Sequence, residues 1–190
     1  MIEKLRKFAD STPFANANKV MIASVIPVLI FSYFDMFQVG FAFAIGAFLT
    51  YPGDIPSNLR HKVIGVLVAA TIVAGCNLFV NILHPYPGFL YPLLALLLFF
   101  LSMLSVYGHR ANMIAFSGLL STSLAFGHLN SGWSIFTSAG LMFCGGVFYL
   151  IVSVIFHYIR PHRYTELQLA SSLRQTSRYL KLRGDLWSID

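Results

Sequence analysis

The chemistry of the central chain gathers in six residues, Tyr107-Gly108-His109-Arg110-Ala111-Asn112. They lie between two long apolar runs, and Arg110 is the only formally charged residue between Lys62 and Arg160. A guanidinium at that place can hold a carboxylate through two parallel N–H donors. A helix that starts directly after it would add free N–H groups and the positive end of its dipole to the same anion site. Asn112 would then sit in the first turn. As a histidine, His109 could pass protons, and Tyr107 flanks the set. Each has a plainer alternative. Arg110 could be a topology anchor that reaches out to headgroups, and His109, with no carboxylate beside it in sequence, could be a solvated interfacial histidine.

A second candidate set lies in the loop from Tyr51 to Lys62. Asp54 and Arg60 could form a gate pair across it, although an Asp after Pro-Gly also serves turn chemistry. Asp35 reads as a cap in a short turn. No acidic residue lies deep within an apolar run, so an intramembrane carboxylate relay is not expected. Ser117, Ser121, Thr122 and Ser123 could line a polar path or bond between helices. No nucleophile–base–acid set, phosphate loop or zinc spacing is present, so the sequence supports no enzyme reading, no cofactor and no metal. Cys76 and Cys144 sit in apolar runs and read as small hydrophobes.

The elements that must position these residues are membrane helices. The chain has 190 residues, 57% hydrophobic and 11% charged, against about 25% charged in an ordinary soluble domain. The mean hydropathy is +0.71. The net charge of +6 does not imply nucleic acid, because the basic residues flank apolar segments. The apolar pattern predicts six spanning helices, over 13–34, 36–51, 63–83, 89–106, 112–127 and 133–159. The second is short for a span, which needs about 20 residues. Helix four, almost pure Leu and Phe, is expected to face lipid. Trp133 reads as an interface anchor. Small residues one turn apart (Gly40 and Ala44, Gly65 and Ala69, Ala111 and Ala115, Gly118 and Thr122) mark close helix contacts and place helices two, three, five and six in the interior.

Six spans put all thirteen Lys and Arg residues on one side, and the positive-inside rule makes both termini cytoplasmic. The fold class expected is therefore all-α, an integral membrane protein with six transmembrane helices. Residues 1–12 read as an interfacial segment, 13–160 as the membrane domain, and 161–190 as a cytoplasmic amphipathic helix that begins a soluble domain. In that tail Leu169, Leu173, Thr176 and Leu180 repeat at helical spacing.

Three stretches in order carry a family resemblance. They are Gly46-Ala47-Phe48-Leu49-Thr50 leading to Asp54 and Arg60, Tyr107-Gly108-His109-Arg110 followed by Ile114 to Leu120, and Gly145 to Leu150 running on to Arg160-Pro161-His162-Arg163. The set resembles the N-terminal membrane half of the fusaric acid resistance and aromatic acid exporter superfamily, in its bacterial inner-membrane branch. The resemblance implies efflux of small organic anions such as aromatic carboxylic acids. Family members typically continue into a soluble domain and a second six-helix block. The expectation is therefore a homo-oligomer or a missing second half. The expected partners are the bilayer and a small organic anion. The alternative is a non-transporting anchor or assembly module whose cytoplasmic helix binds a partner, and a lipid-facing helix five without a polar lumen would mark it.

Overall fold

The computed structural model describes residues 12–55, 59–127, 132, 134–159, 173–181 and 183. Among them the regular elements are all helical: α1 (Thr12–Tyr33), α2 (Phe37–Thr50), α3 (Leu59–Leu83), α4 (Pro87–Leu104), α5 (His109–Gly127) and α6 (Ser134–Ile159). Two 3-10 turns, Tyr51–Gly53 and Ser105–Tyr107, follow α2 and α4. The chain divides into a unit ending at Ile155 and a second from Phe156 onward. In the second unit residues 173–181 are helical and exposed. Residues 1–11, Asn130, Trp133 and the tail from Arg160 to Ser172, where an interfacial segment, a polar turn, an anchor and a helix start were expected, lie outside the described residues.

Among the described residues four helical stretches are long and apolar enough to cross a membrane: Asn16–Tyr33, Leu59–Leu83, Pro87–Tyr107 and Ser134–Tyr158. The helix α2 has only 14 residues. The helix α5 has 19, but its Ser and Thr residues make it less apolar.

The helix ends show why the chain turns where it does. Asp35 closes α1 in the left-handed region, at φ 56°, which a short polar side chain tolerates better than most. The Met36 N–H then reaches back to the Phe31 carbonyl at 2.9 Å, a typical way of satisfying the last carbonyls of a helix. Two starts differ from the apolar pattern. The helix α3 begins at Leu59, four residues before Val63, because Arg and Lys are good helix formers and hydropathy marks only where a helix enters apolar surroundings. The helix α5 begins at His109, three residues before Asn112. Gly108, at φ 109°, makes the sharp entry, and its carbonyl accepts the Asn112 N–H at 2.9 Å. Arg110 is thus inside the first turn of α5, not ahead of it.

Small residues set the packing. The Ser121 hydroxyl of α5 donates to the Val73 carbonyl of α3 at 2.7 Å. Gly118 faces Leu101 and Ile72 so closely that an added Cβ would come within 2.9 Å of the leucine. Gly46 of α2 rests on the backbone of Met142, and Gly145 of α6 on the carbonyl of Phe43. Gly146 lies against Ala70 and Thr50. The buried residues concentrate on α2, α3, α5 and α6, whereas α4 buries only Leu90 and Leu101 and exposes Phe89, Tyr91, Phe99 and Phe100. Helix four was expected to be the most exposed of the spans, and α4 is exposed along most of its length. Cys76 is buried, but Cys144 is exposed on the apolar surface.

Candidate functional site: a buried carboxylate at the basic end of the bundle

Asp54 follows the 3-10 turn that ends α2. Its N–H donates to the Tyr51 carbonyl at 2.9 Å. Gly53 is pressed onto α3, where an added Cβ would lie 2.7 Å from the Cβ of Ala69 and 3.2 Å from the Gly65 carbonyl. Only a residue without a side chain permits that approach. It carries the connector across α3 and turns the Asp54 side chain into the bundle.

There both carboxylate oxygens are engaged. One lies 3.2 Å from the Lys62 ammonium. The other accepts the Tyr149 hydroxyl at 2.8 Å and the Ser153 hydroxyl at 2.5 Å. The Asp54 and Lys62 side chains are only 4% and 7% exposed, and Tyr149 and Ser153 are fully buried. Tyr149 and Ser153 stand four residues apart on α6, so one helix face presents both hydroxyls. The expected loop aspartate is therefore a buried ion-paired group, and its partner is Lys62 instead of Arg60. The reason is helical phase. Arg60 and Lys62 are both in the first turn of α3, about 200° apart around its axis. Lys62 facing the bundle leaves Arg60 exposed.

Two more cations stand near. Lys19, on α1, donates to Asn16 at 3.2 Å and is within electrostatic reach of both Lys62 and Asp54. Arg110 donates to the His61 carbonyl at 2.7 Å, tying α5 to the first turn of α3. Gly65 is where these parts meet, with Gly53 against it on one side and the Arg110 side chain on another. The other residues of the central stretch do not converge with Arg110. Tyr107, His109 and Asn112 are exposed. The hydroxyls of α5 go to helix carbonyls: Ser121 to Val73, Ser117 to Met113 at 3.0 Å and Thr122 to Gly118 at 2.8 Å.

An apolar groove of about 560 Å³ runs beside this end, lined by Val20 and Met21 of α1, Phe48 of α2, Tyr51, and Phe116 and Leu120 of α5, among others. Tyr51 joins groove and charge cluster, because its ring also packs edge-on against Tyr149 at 6.2 Å between centroids.

Lys62, Tyr149, Ser153 and Lys19 escaped the sequence reading as site residues. One signal was available. Asp54 is the only acidic residue between Asp35 and Glu166, so any internal cation in that stretch has a single carboxylate to pair with.

Apolar helices packed through glycine and closed at one end by a buried ion pair define a multi-pass integral membrane protein. The family described as FUSC-like inner membrane protein yccS matches this chain over residues 63–190. The chain belongs to that family, one of bacterial inner-membrane proteins of the transport type. The matched stretch contains Arg110, Tyr149 and Ser153, and Asp54 and Lys62 lie just ahead of it. No curated protein and no solved structure gives a significant match.

Proposed function

We propose that the chain is a transporter module that exports small organic anions, such as aromatic carboxylic acids, from the cytoplasm. The observation that carries this reading is the charge balance at one end of the bundle. Lys62 and Lys19 stand by a single carboxylate, Asp54, and Arg110 is tied to the same first turn of α3, and such an excess attracts anions to that end. The family membership supports transport, and the resemblance supplies the class of substrate. In this reading all six helices cross the inner membrane, α2 and α5 with the support of their neighbours. The positive-inside rule puts the basic end and both termini in the cytoplasm. Residues 1–12 lie along the interface, and 161–190 begin a cytoplasmic domain. The working form is a homo-oligomer or includes a second half.

Arg110 is the first residue to test. In cells given a labelled aromatic acid, Arg110→Ala should raise the retained label severalfold, and Arg110→Lys should fall between. Unchanged retention, with normal insertion and amount, would leave Arg110 as the clasp between α5 and α3 and remove it from substrate recruitment. A second reading, a membrane anchor or assembly module, is favoured by the hydroxyls of α5, which are spent on helix carbonyls. Against its marker, one face of α5, with Ile114, Ala115, Ser117, Gly118, Ser121 and Thr122, is buried in the bundle.

A further inference from the structure

The group around Asp54 has the composition of a carboxylate receptor. An ammonium and two hydroxyls, on two different helices, converge on one planar anion and use both of its oxygens. None of these donors recognises anything of aspartate beyond its COO−. The three donors sit on the regular helices α3 and α6, whereas the occupant sits on the connector between α2 and α3, after the 3-10 turn has ended. The receptor is built into the scaffold, and the ligand is on the connector, where the Asp54 and Ile55 N–H groups donate only to the turn just before them, to the Tyr51 and Gly53 carbonyls.

The charge count points the same way. With Asp54 in place, two ammonium groups, Lys19 and Lys62, share one carboxylate. The excess positive charge attracts an incoming carboxylate to the cluster before Asp54 leaves it. The groove beside it is apolar and partly aromatic, and Tyr51 forms a wall common to both. A molecule that fits both features has one carboxylate and an apolar body.

We propose that Lys62, Tyr149 and Ser153 form a binding site for such a monocarboxylate, occupied by the side chain of Asp54 in the resting protein and vacated when an incoming acid takes its place. The proposal rests on the organic-anion reading above and gives it a mechanism. Substrate binding is an exchange of one carboxylate for another, and it frees Asp54 and the neighbouring Ile55. The incoming acid is either a free aromatic acid from water or a fatty acid from the bilayer, since both have this chemistry.

Asp54→Gly deletes a CH2–COO− group, of which acetate is the free equivalent. In the purified full chain in detergent, acetate should raise the melting temperature of Asp54→Gly saturably, by roughly 3 °C or more, as a ligand of the folded state does. Chloride at equal concentration should not. The rise should vanish in Asp54→Gly with Lys62→Met. No acetate-specific rise, or an equal rise without Lys62, overturns the site.

If Asp54→Gly does not fold, the native carboxylate can be tested directly. Ile55→Cys, in a Cys76→Ala and Cys144→Ala background that keeps Asp54, reports exposure of the connector to a maleimide. Benzoate or laurate should raise its labelling severalfold, and whichever does so names the source of the acid. Labelling unchanged by both overturns the exchange. Neither readout involves transport, so acetate rescue without export keeps the site and removes the export reading. Export without rescue or increased labelling does the reverse.

Discussion

Asp54→Ala is expected to destabilise the protein by about 3–5 kcal/mol, because it leaves a buried ammonium without its counter-charge. Lys62 is 7% exposed, and Lys19 on α1 is close enough to repel it. The same substitution strips the acceptor from the Tyr149 and Ser153 hydroxyls. Each buried donor left without a partner adds its own desolvation cost, about 1–3 kcal/mol. Replacing both members of the pair should behave differently. Asp54→Leu with Lys62→Met removes both desolvated charges and fills the space with apolar groups, and such exchanges are often neutral or stabilising. The double variant should therefore recover the part of the loss due to the unpaired ammonium, with the Tyr149 and Ser153 hydroxyls still lacking their acceptor. Unfolding of the purified protein in mixed micelles, followed by circular dichroism, gives both values. A loss under about 1 kcal/mol for Asp54→Ala would mark the pair as solvent-screened, as exposed ion pairs are. The stability of the double variant also separates two roles. A pair kept for stability is missed by the fold, whereas a pair kept for anion exchange is missed by transport while the fold remains.

The class of fold was legible because it depends on composition and on local pattern. Runs of apolar residues broken by Pro, Gly and Asp place six helices in order, and the Leu and Phe of α4 state their own exposure. Boundaries were less legible where polarity and helicity part company. Arg60, His61 and Lys62 look like loop by hydropathy, yet they form the first turn of α3. That single shift decides which cation meets Asp54, since a helix turns Lys62 inward and Arg60 outward. The candidate site was mostly hidden for another reason. Tyr149 and Ser153 reach Asp54 across 95 and 99 residues of chain, and no local pattern encodes a contact of that range. Arg110 was conspicuous by its isolation, but its bond to the His61 carbonyl depends on how α5 lies on α3. A rare residue in an apolar chain points to a place, and packing determines what it does there.

Packing itself gives the second large effect. Gly145→Ala adds one methyl group and is expected to cost at least about 1–3 kcal/mol, the usual penalty for overfilling a packed core. The added carbon would run into the Phe43 carbonyl of α2, and the matching carbon at Gly46 would run into the backbone of Met142. In both cases the obstacle is main chain, which cannot rotate aside as a side chain can, so α2 and α6 must separate. Gly140, five residues earlier on the same helix, has nothing within 4 Å of its added carbon. Gly140→Ala should be neutral or slightly stabilising, since alanine favours a helix over glycine by up to about 1 kcal/mol. The contrast between two identical substitutions on one helix removes propensity as an explanation. The consequence reaches the charge cluster, because Tyr149 and Ser153 follow Gly145 at helical spacing and move with it. Separation of α6 from α2 would lengthen both hydroxyl bonds to Asp54 while leaving the pair with Lys62 on α3. Gly145→Ala should therefore lower the melting temperature and, if carboxylate exchange operates, raise maleimide labelling of the Ile55→Cys variant even without added acid. Equal melting temperatures for the two alanine variants would show that α2 and α6 do not meet backbone to backbone at these glycines.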